Sequence, residues 1–314
     1  MPRPTDFVVP DQTGRTALVT GANSGLGFQT SLRLARAGAT VLMACRNPDK
    51  AADALARIEA QVPGAAVSLV TLDLASLASV RAAASEVLAG RDRLDLLVNN
   101  AGVMAIPRTR TADGFEMQFG TNHLGHFALT GLLVDLVTST PGSRILNVAS
   151  SAHKMGRMRF DDLMGERRYE KWSAYGQSKL ANLLFTAELQ RRLTAVRAPT
   201  IAVAAHPGWS ATHLQTSGRG VTGGPMLKLT ELGNRLFAQS DEMGALPTLH
   251  AATSPDVIAG GYYGPGGIFE LQGLPTQVVP TRRARDVADA RELWRRSEEL
   301  TGVTFDALDA AVGM

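Results

Sequence analysis

The chain lacks the features that would mark it for a membrane, a secretory route or a nucleic acid. Its 314 residues include one cysteine, Cys45, so no intramolecular disulfide can form. That fits a reducing compartment. No apolar run approaches the roughly 20 residues of a membrane span. The first thirteen residues carry Pro2, Pro4, Pro10, Asp6 and Asp11 and no long apolar stretch, unlike a secretion signal. Charged residues make up 19% and the formal net charge is +3. So small an excess argues against a dedicated nucleic-acid binder, although it tolerates an anionic ligand. No Cys/His cluster has metal-ligand spacing, so no metal is expected. Linkers, repeats and low-complexity tracts are also missing. The remaining reading is a soluble, cytoplasmic, globular protein whose partners are small molecules, with no transmembrane segment.

Hydrophobic residues are 45% of the chain and glycines number 31, enough for one large α/β domain. Short β-rich runs alternate with helical stretches. Strands are predicted over 16–20 (TALVT), 40–44, 67–71, 94–98, 144–148 (RILNV) and 200–205, with a seventh near 261–263. Helices are predicted over 24–37, 48–60, 76–88, 119–137, 175–193, 226–238, 242–253 and 286–300. The strands are apolar on both faces, as strands covered by helices on both sides must be. Crossovers of about a dozen helical residues imply a parallel sheet. The expected fold is a single-domain α/β Rossmann fold, a doubly wound parallel sheet of about seven strands with helices on both faces. The cofactor half would run over 14–150 and the catalytic and substrate half over 151–302, with extensions 1–13 and 303–314.

Thr20-Gly21-Ala22-Asn23-Ser24-Gly25-Leu26-Gly27 lies between the first strand and first helix. Gly21 can take the tight turn, Gly25 lets backbone approach a pyrophosphate, and Gly27 permits close helix–sheet packing. The helix start offers N–H groups and a positive dipole end to phosphates. An NAD site usually places an acid at the end of the second strand. Here that position reads Ala44-Cys45-Arg46-Asn47. Arg46 presents a planar fork suited to a 2′-phosphate, so NADP(H) is expected over NAD(H).

Further motifs follow in order. Asp73-Leu74 comes after the third strand and Asn99-Asn100-Ala101-Gly102 after the fourth. Asn122 stands in TNHLGHF, Ser151 after the fifth strand, and Tyr175 and Lys179 in YxxxK. Pro207-Gly208 and Thr212 follow the sixth strand. Tyr175 and Lys179 are four apart on a helix and share a face. A tyrosine's ordinary pKa of about 10 is too high for efficient proton transfer near neutrality, and a nearby ammonium lowers it.

Along nearly its whole length the chain resembles the short-chain dehydrogenase/reductase family, through TGxxxGxG, NNAG, the asparagine, the serine and YxxxK. The resemblance implies an oxidoreductase interconverting a carbonyl and an alcohol by hydride transfer, with Tyr175 as general acid/base. It implies that Asp73 and Leu74 contact adenine and that Asn100, Ala101, Gly102, Pro207, Gly208 and Thr212 line the cofactor. Lys179 and Tyr175 would also touch the cofactor. Of Ser150 and Ser151, the second of such a pair usually acts in the family, so Ser151 is the candidate to hold the substrate oxygen. Asn122 would organise a helix and a water relaying protons to Lys179. His123, His126, His153 and His206 read as structural or cofactor-lining.

TGANSGLG, ACRN, NVASSAH and SKLANLLFTAEL are similar to the retinol-dehydrogenase-like branch, which carries an insert between serine and tyrosine. Here 155–173 fills that place. Together with 209–239 it is rich in apolar residues such as Met158, Phe160, Trp209 and Leu227, and the two segments would form an apolar pocket or fill core beneath a lid. The glycines at 218, 220, 223 and 224 suggest that the lid moves. The family resemblance also allows a homo-oligomer. Two other classes share the fold: sugar-nucleotide epimerases, disfavoured by the NNAG motif and a short C-terminal region, and nucleotide-sensing scaffolds, which would be expected to lose the tyrosine or lysine.

Overall fold

In the computed structural model, residues 7–208 and 240–309 are described. The predicted lid, its glycines, the helix over 226–238 and Thr212 lie outside the described residues.

One sheet organises the chain. Its strands are β1 (Thr16–Thr20), β2 (Thr40–Cys45), β3 (Val67–Thr71), β4 (Leu96–Asn99), β5 (Arg144–Val148), β6 (Ile201–Ala205), β7 (Tyr262–Pro265) and β8 (Pro275–Gln277). The spatial order is β3-β2-β1-β4-β5-β6-β7-β8. All pairings are parallel except β7 with β8. Among the described residues the sheet therefore has eight strands where the sequence pattern gives about seven. The extra one is a three-residue antiparallel edge strand, too short for any periodicity to register.

The helices are α1 (Gly25–Arg36), α2 (Pro48–Gln61), α3 (Leu77–Gly90), α4 (Met117–Phe119), α5 (Gly125–Thr138), α6 (Lys171–Ala195), α7 (Asp241–Gly244), α8 (Leu246–Thr253), α9 (Val287–Thr301) and α10 (Asp306–Asp309). Central strands are buried throughout, and separate apolar clusters fill the two faces. One face carries α1, α2 and α8. The other carries α3, α5 and α6, with the Phe127 ring edge to face against Trp294 and Phe305 and tilted against Phe185. None of the helices among the described residues is long and apolar enough to cross a membrane.

Two predicted helices are broken. The stretch expected as one helix over 119–137 instead runs from α4 through a π-helical turn, Gly120–Leu124, into α5. Glycines flank the π turn because the backbone is pressed against neighbours. A Cβ at Gly120 would lie 2.5 Å from Thr111 Cγ2, and one at Gly125 2.5 Å from the Leu74 carbonyl oxygen. The helix expected over 242–253 divides into α7 and α8 near Pro247, which cannot donate a backbone hydrogen bond.

Candidate active site

The glycine turn joins β1 to α1. Gly21 and Gly25 have φ of +67° and +55°, in the left-handed region that favours glycine. Gly27 answers a different need: a Cβ there would meet the Gly21 carbonyl oxygen at 2.3 Å. Above Gly25 the space is open, the nearest atom to a Cβ being Asp241 Oδ2 at 3.9 Å. Ser24 precedes α1, is exposed and makes no side-chain cap, and the first turn carries no acid. By contrast α2, α3, α6 and α9 are capped by Asn47, Ser76, Glu170 and Asp286. Among the described residues no side chain claims the first amides of α1, which suits the phosphates of a dinucleotide. Asn23 is half-buried, and Leu26 faces inward.

Arg46 and Asn47 follow β2 and are exposed. Asn47 Oδ1 accepts from the Lys50 N–H at 2.9 Å, so this side chain caps α2. Asp73 Oδ1 accepts from the Ala75 N–H at 2.9 Å, and Leu74 is buried against Gly125. Asn100 Nδ2 donates to the Thr20 carbonyl at 2.8 Å, tying the NNAG turn to the glycine turn. A Cβ at Gly102 would sit 3.0 Å from Asn122 Oδ1 and 3.5 Å from Lys179 Nζ, so the NNAG turn passes over both. Ala101 precedes it, half-buried. Pro207 and Gly208 leave β6, and the Gly208 N–H donates to His206 Nδ1 at 3.2 Å.

Tyr175 and Lys179 lie on α6 and are buried, at 6% and 4% exposure. Lys179 Nζ is 5.8 Å from the Tyr175 ring centroid and donates to the Val148 carbonyl at 3.0 Å. Burial pushes the Tyr175 phenol up to about 12 and the Lys179 ammonium down to about 8. With the site in this state, desolvation outweighs the mutual attraction expected from the four-residue spacing. The Asn122 side chain is engaged with Val103: Oδ1 accepts from its N–H at 2.8 Å, and Nδ2 donates to its carbonyl at 2.9 Å and to Ser178 Oγ at 2.9 Å. It braces the NNAG turn against α6.

The serine hydroxyl that lies beside the Tyr175 phenol and opposes the upward push of burial is that of Ser150. Ser150 is extended (φ −160°, ψ 155°) and caps the 3-10 turn Ser151–Met155, its Oγ accepting from the Ala152 N–H at 3.2 Å. Ser151 is the first residue inside that turn. The fixed 25-residue separation of Ser150 from Tyr175 carried no usable signal in a single sequence. His126, expected as structural or cofactor-lining, and Thr20, not singled out as a site residue, are both buried beside the glycine turn and lie 2.9 Å apart.

In the insert, Met158, Phe160 and Met164 pack against the core beside Leu180 and Leu184, so these apolar residues fill interior space. Met155 and Trp172 are exposed at 57% and 43%. The Trp172 ring lies 6.4 Å from that of Tyr175, edge to face, and Met155 packs over Gly176.

The family model described as short chain dehydrogenase matches residues 15–219. The chain is 42% identical to human (Homo sapiens) retinol dehydrogenase 13 over 307 residues, spanning 96% of this chain and 87% of that protein. It superposes on the crystal structure of an uncharacterized protein from Mycobacterium Paratuberculosis with a TM-score of 0.78 at 43% identity, covering 96% of this chain and 98% of that one. It is also similar to 3-ketoacyl-(acyl-carrier-protein) reductase from Brucella melitensis, a structure complexed with NADH, with a TM-score of 0.60, 26% identity and coverage of 80% and 96%. With an uncapped helix after the first strand, a buried Tyr-Lys pair on α6 and a match over most of its length, the chain belongs to the short-chain dehydrogenase/reductase family of oxidoreductases, in its retinol-dehydrogenase-like branch.

Proposed function

We propose that the protein interconverts a bulky apolar aldehyde or ketone and its alcohol, using NADP(H), with Tyr175 as general acid/base. The observation that carries this reading is the buried Tyr175 phenol, beside the Ser150 hydroxyl and one helical turn from Lys179. A bound nicotinamide supplies or accepts the hydride at the substrate carbon. The chain's residues handle the proton and the oxygen. Ser150 donates to the substrate oxygen and holds it beside Tyr175 Oη. In reduction the neutral phenol, the form that burial favours, gives its proton to the oxygen as negative charge develops there. The phenolate left behind is stabilised by the Lys179 ammonium, whose own charge then gains a partner. Asn122 keeps Val103 and α6 in register.

Cofactor choice rests on Arg46, exposed after β2 where an acid would select NAD, and on the uncapped start of α1. The apolar substrate rests on Met155 and Trp172, exposed beside Tyr175. The test follows NADPH and NADH oxidation by the purified chain against apolar aldehydes, ketones, quinones and retinal. NADPH-dependent turnover is expected, falling about a thousand-fold in Tyr175→Phe with NADPH affinity unchanged. Turnover surviving in Tyr175→Phe would overturn the assignment.

A further inference from the structure

His126 lies one helical turn beyond Asn122, is 2% exposed, and is not needed as an acid or base by the chemistry above. Its Nδ1 is 3.0 Å from the Asn122 carbonyl oxygen and its Nε2 is 2.9 Å from Thr20 Oγ1. A carbonyl only accepts, so Nδ1 carries the proton and Nε2 is the acceptor. The Thr20 hydroxyl therefore donates to His126 at 2.9 Å in preference to the Val98 carbonyl at 3.4 Å. Its oxygen then accepts from the N–H groups of Asn100 and Ala101, both at 2.9 Å. Two residues further on, Val103 is gripped through its N–H and carbonyl by the Asn122 side chain. The circuit closes: Thr20, the 100–103 turn, Asn122, His126 and back to Thr20. Ser178, bonded to Asn122 Nδ2, links it to α6 one residue before Lys179.

We infer that His126 is a positioning residue: neutral, in the Nδ1–H tautomer, it locks the glycine turn of the cofactor site to the asparagine and lysine of the catalytic site. Neutrality is essential, because an imidazolium has no acceptor to offer the Thr20 hydroxyl. Burial, assisted by the nearby Lys179 charge, holds the ring down to about 4. Thr20 joins β1, β4 and α5 in this circuit, and its partners lie 80, 81 and 106 positions away. His123, three positions earlier, bonds Ser297 Oγ of α9 at 2.8 Å and takes no part.

The inference rests on the hydride-transfer reading, and the experiment separates the two. Asparagine at 126 places its amide near the Nδ1 position and can still donate to the Asn122 carbonyl, but cannot reach Thr20. Glutamine places its amide near Nε2 and can still accept from Thr20. In the full chain, His126→Asn and Thr20→Val should each weaken NADPH binding roughly ten-fold, the scale of one or two hydrogen bonds. The double variant should be no worse than either single one, since both break the same circuit. His126→Gln should keep NADPH affinity within about three-fold and lose mainly kcat. Hydrogen exchange should accelerate at the amides of Asn100 and Ala101 in Thr20→Val and His126→Asn, without a matching change in the sheet. A purely structural histidine would instead loosen the whole chain and give additive losses. NADPH affinity and local exchange unchanged in His126→Asn, or full additivity with Thr20→Val, would overturn the inference while wild-type turnover and its loss in Tyr175→Phe leave the reaction standing. Failure of the wild-type chain to bind NADPH or NADH would overturn both.

Discussion

Two helices, α1 and α6, start above the same carboxyl edge of the sheet and use their N-termini in opposite ways. At α6, Glu170 accepts from the N–H groups of Trp172 and Ser173 at 3.0 and 2.7 Å, so the helix start is satisfied from within the chain. At α1, Ser24 makes no such bond and no acid stands in the first turn. The capped helix offers side chains: Tyr175 and Lys179 project from its second and third turns. The uncapped helix offers backbone, presented on glycines that keep Cβ atoms out of the way. A catalytic side chain needs a fixed helix beneath it, and a self-satisfied N-terminus supplies that. A phosphate needs unclaimed amides, and a capping carboxylate would compete with it.

The comparison can be broken from either side. The largest effect is expected from Gly27→Ala. Its Cβ would be driven against the Gly21 carbonyl, costing about 3 kcal/mol of strain. Thermal unfolding should fall and NADPH affinity with it, whereas an α1 that accommodates alanine at no cost would show the turn to be loosely built. Arg46→Ala should weaken NADPH binding by about 2 kcal/mol, the scale of one charge-assisted hydrogen bond, and leave NADH binding nearly unchanged. Equal weakening for the two cofactors by calorimetry would remove Arg46 as the discriminating residue. Ser24→Asp would convert α1 into a helix like α6. The ligand-free chain should gain up to about 1 kcal/mol of stability while NADPH affinity drops, the two measurements moving in opposite directions. The smallest effect belongs to Glu170→Ala, about 1 kcal/mol of stability from removal of the cap, seen as a melting shift of a few degrees with NADPH affinity intact.

The parts of the site that were legible in sequence are those in which local geometry is repetitive. The glycine pattern, the placement of motifs after strands and the four-residue step from Tyr175 to Lys179 all follow from the periods of a helix and the position of a strand end. Ser150 shows what such periods leave out. Along β5, Ile145 and Asn147 face the helices α5 and α6, so alternation continued past the strand end would turn Ser151 that way. The chain instead leaves the sheet after Val148 and tightens into a 3-10 turn, and Ser150, extended at its head, meets Tyr175. The π turn at Gly120–Leu124 is likewise invisible to a 3.6-residue pattern, because it answers to Thr111 and Leu74 pressing from elsewhere in the chain.

The sequence by itself determined the class of sheet and the shared helix face of Tyr175 and Lys179, since burial on both strand faces and helical spacing are written locally. Tertiary structure alone decided which serine meets the tyrosine, that β8 adds an antiparallel edge, and that Thr20 and His126 join the two halves of the site. Those outcomes depend on hydrogen bonds and close approaches between residues tens of positions apart, whose partners exist only once the sheet has brought the strand ends together.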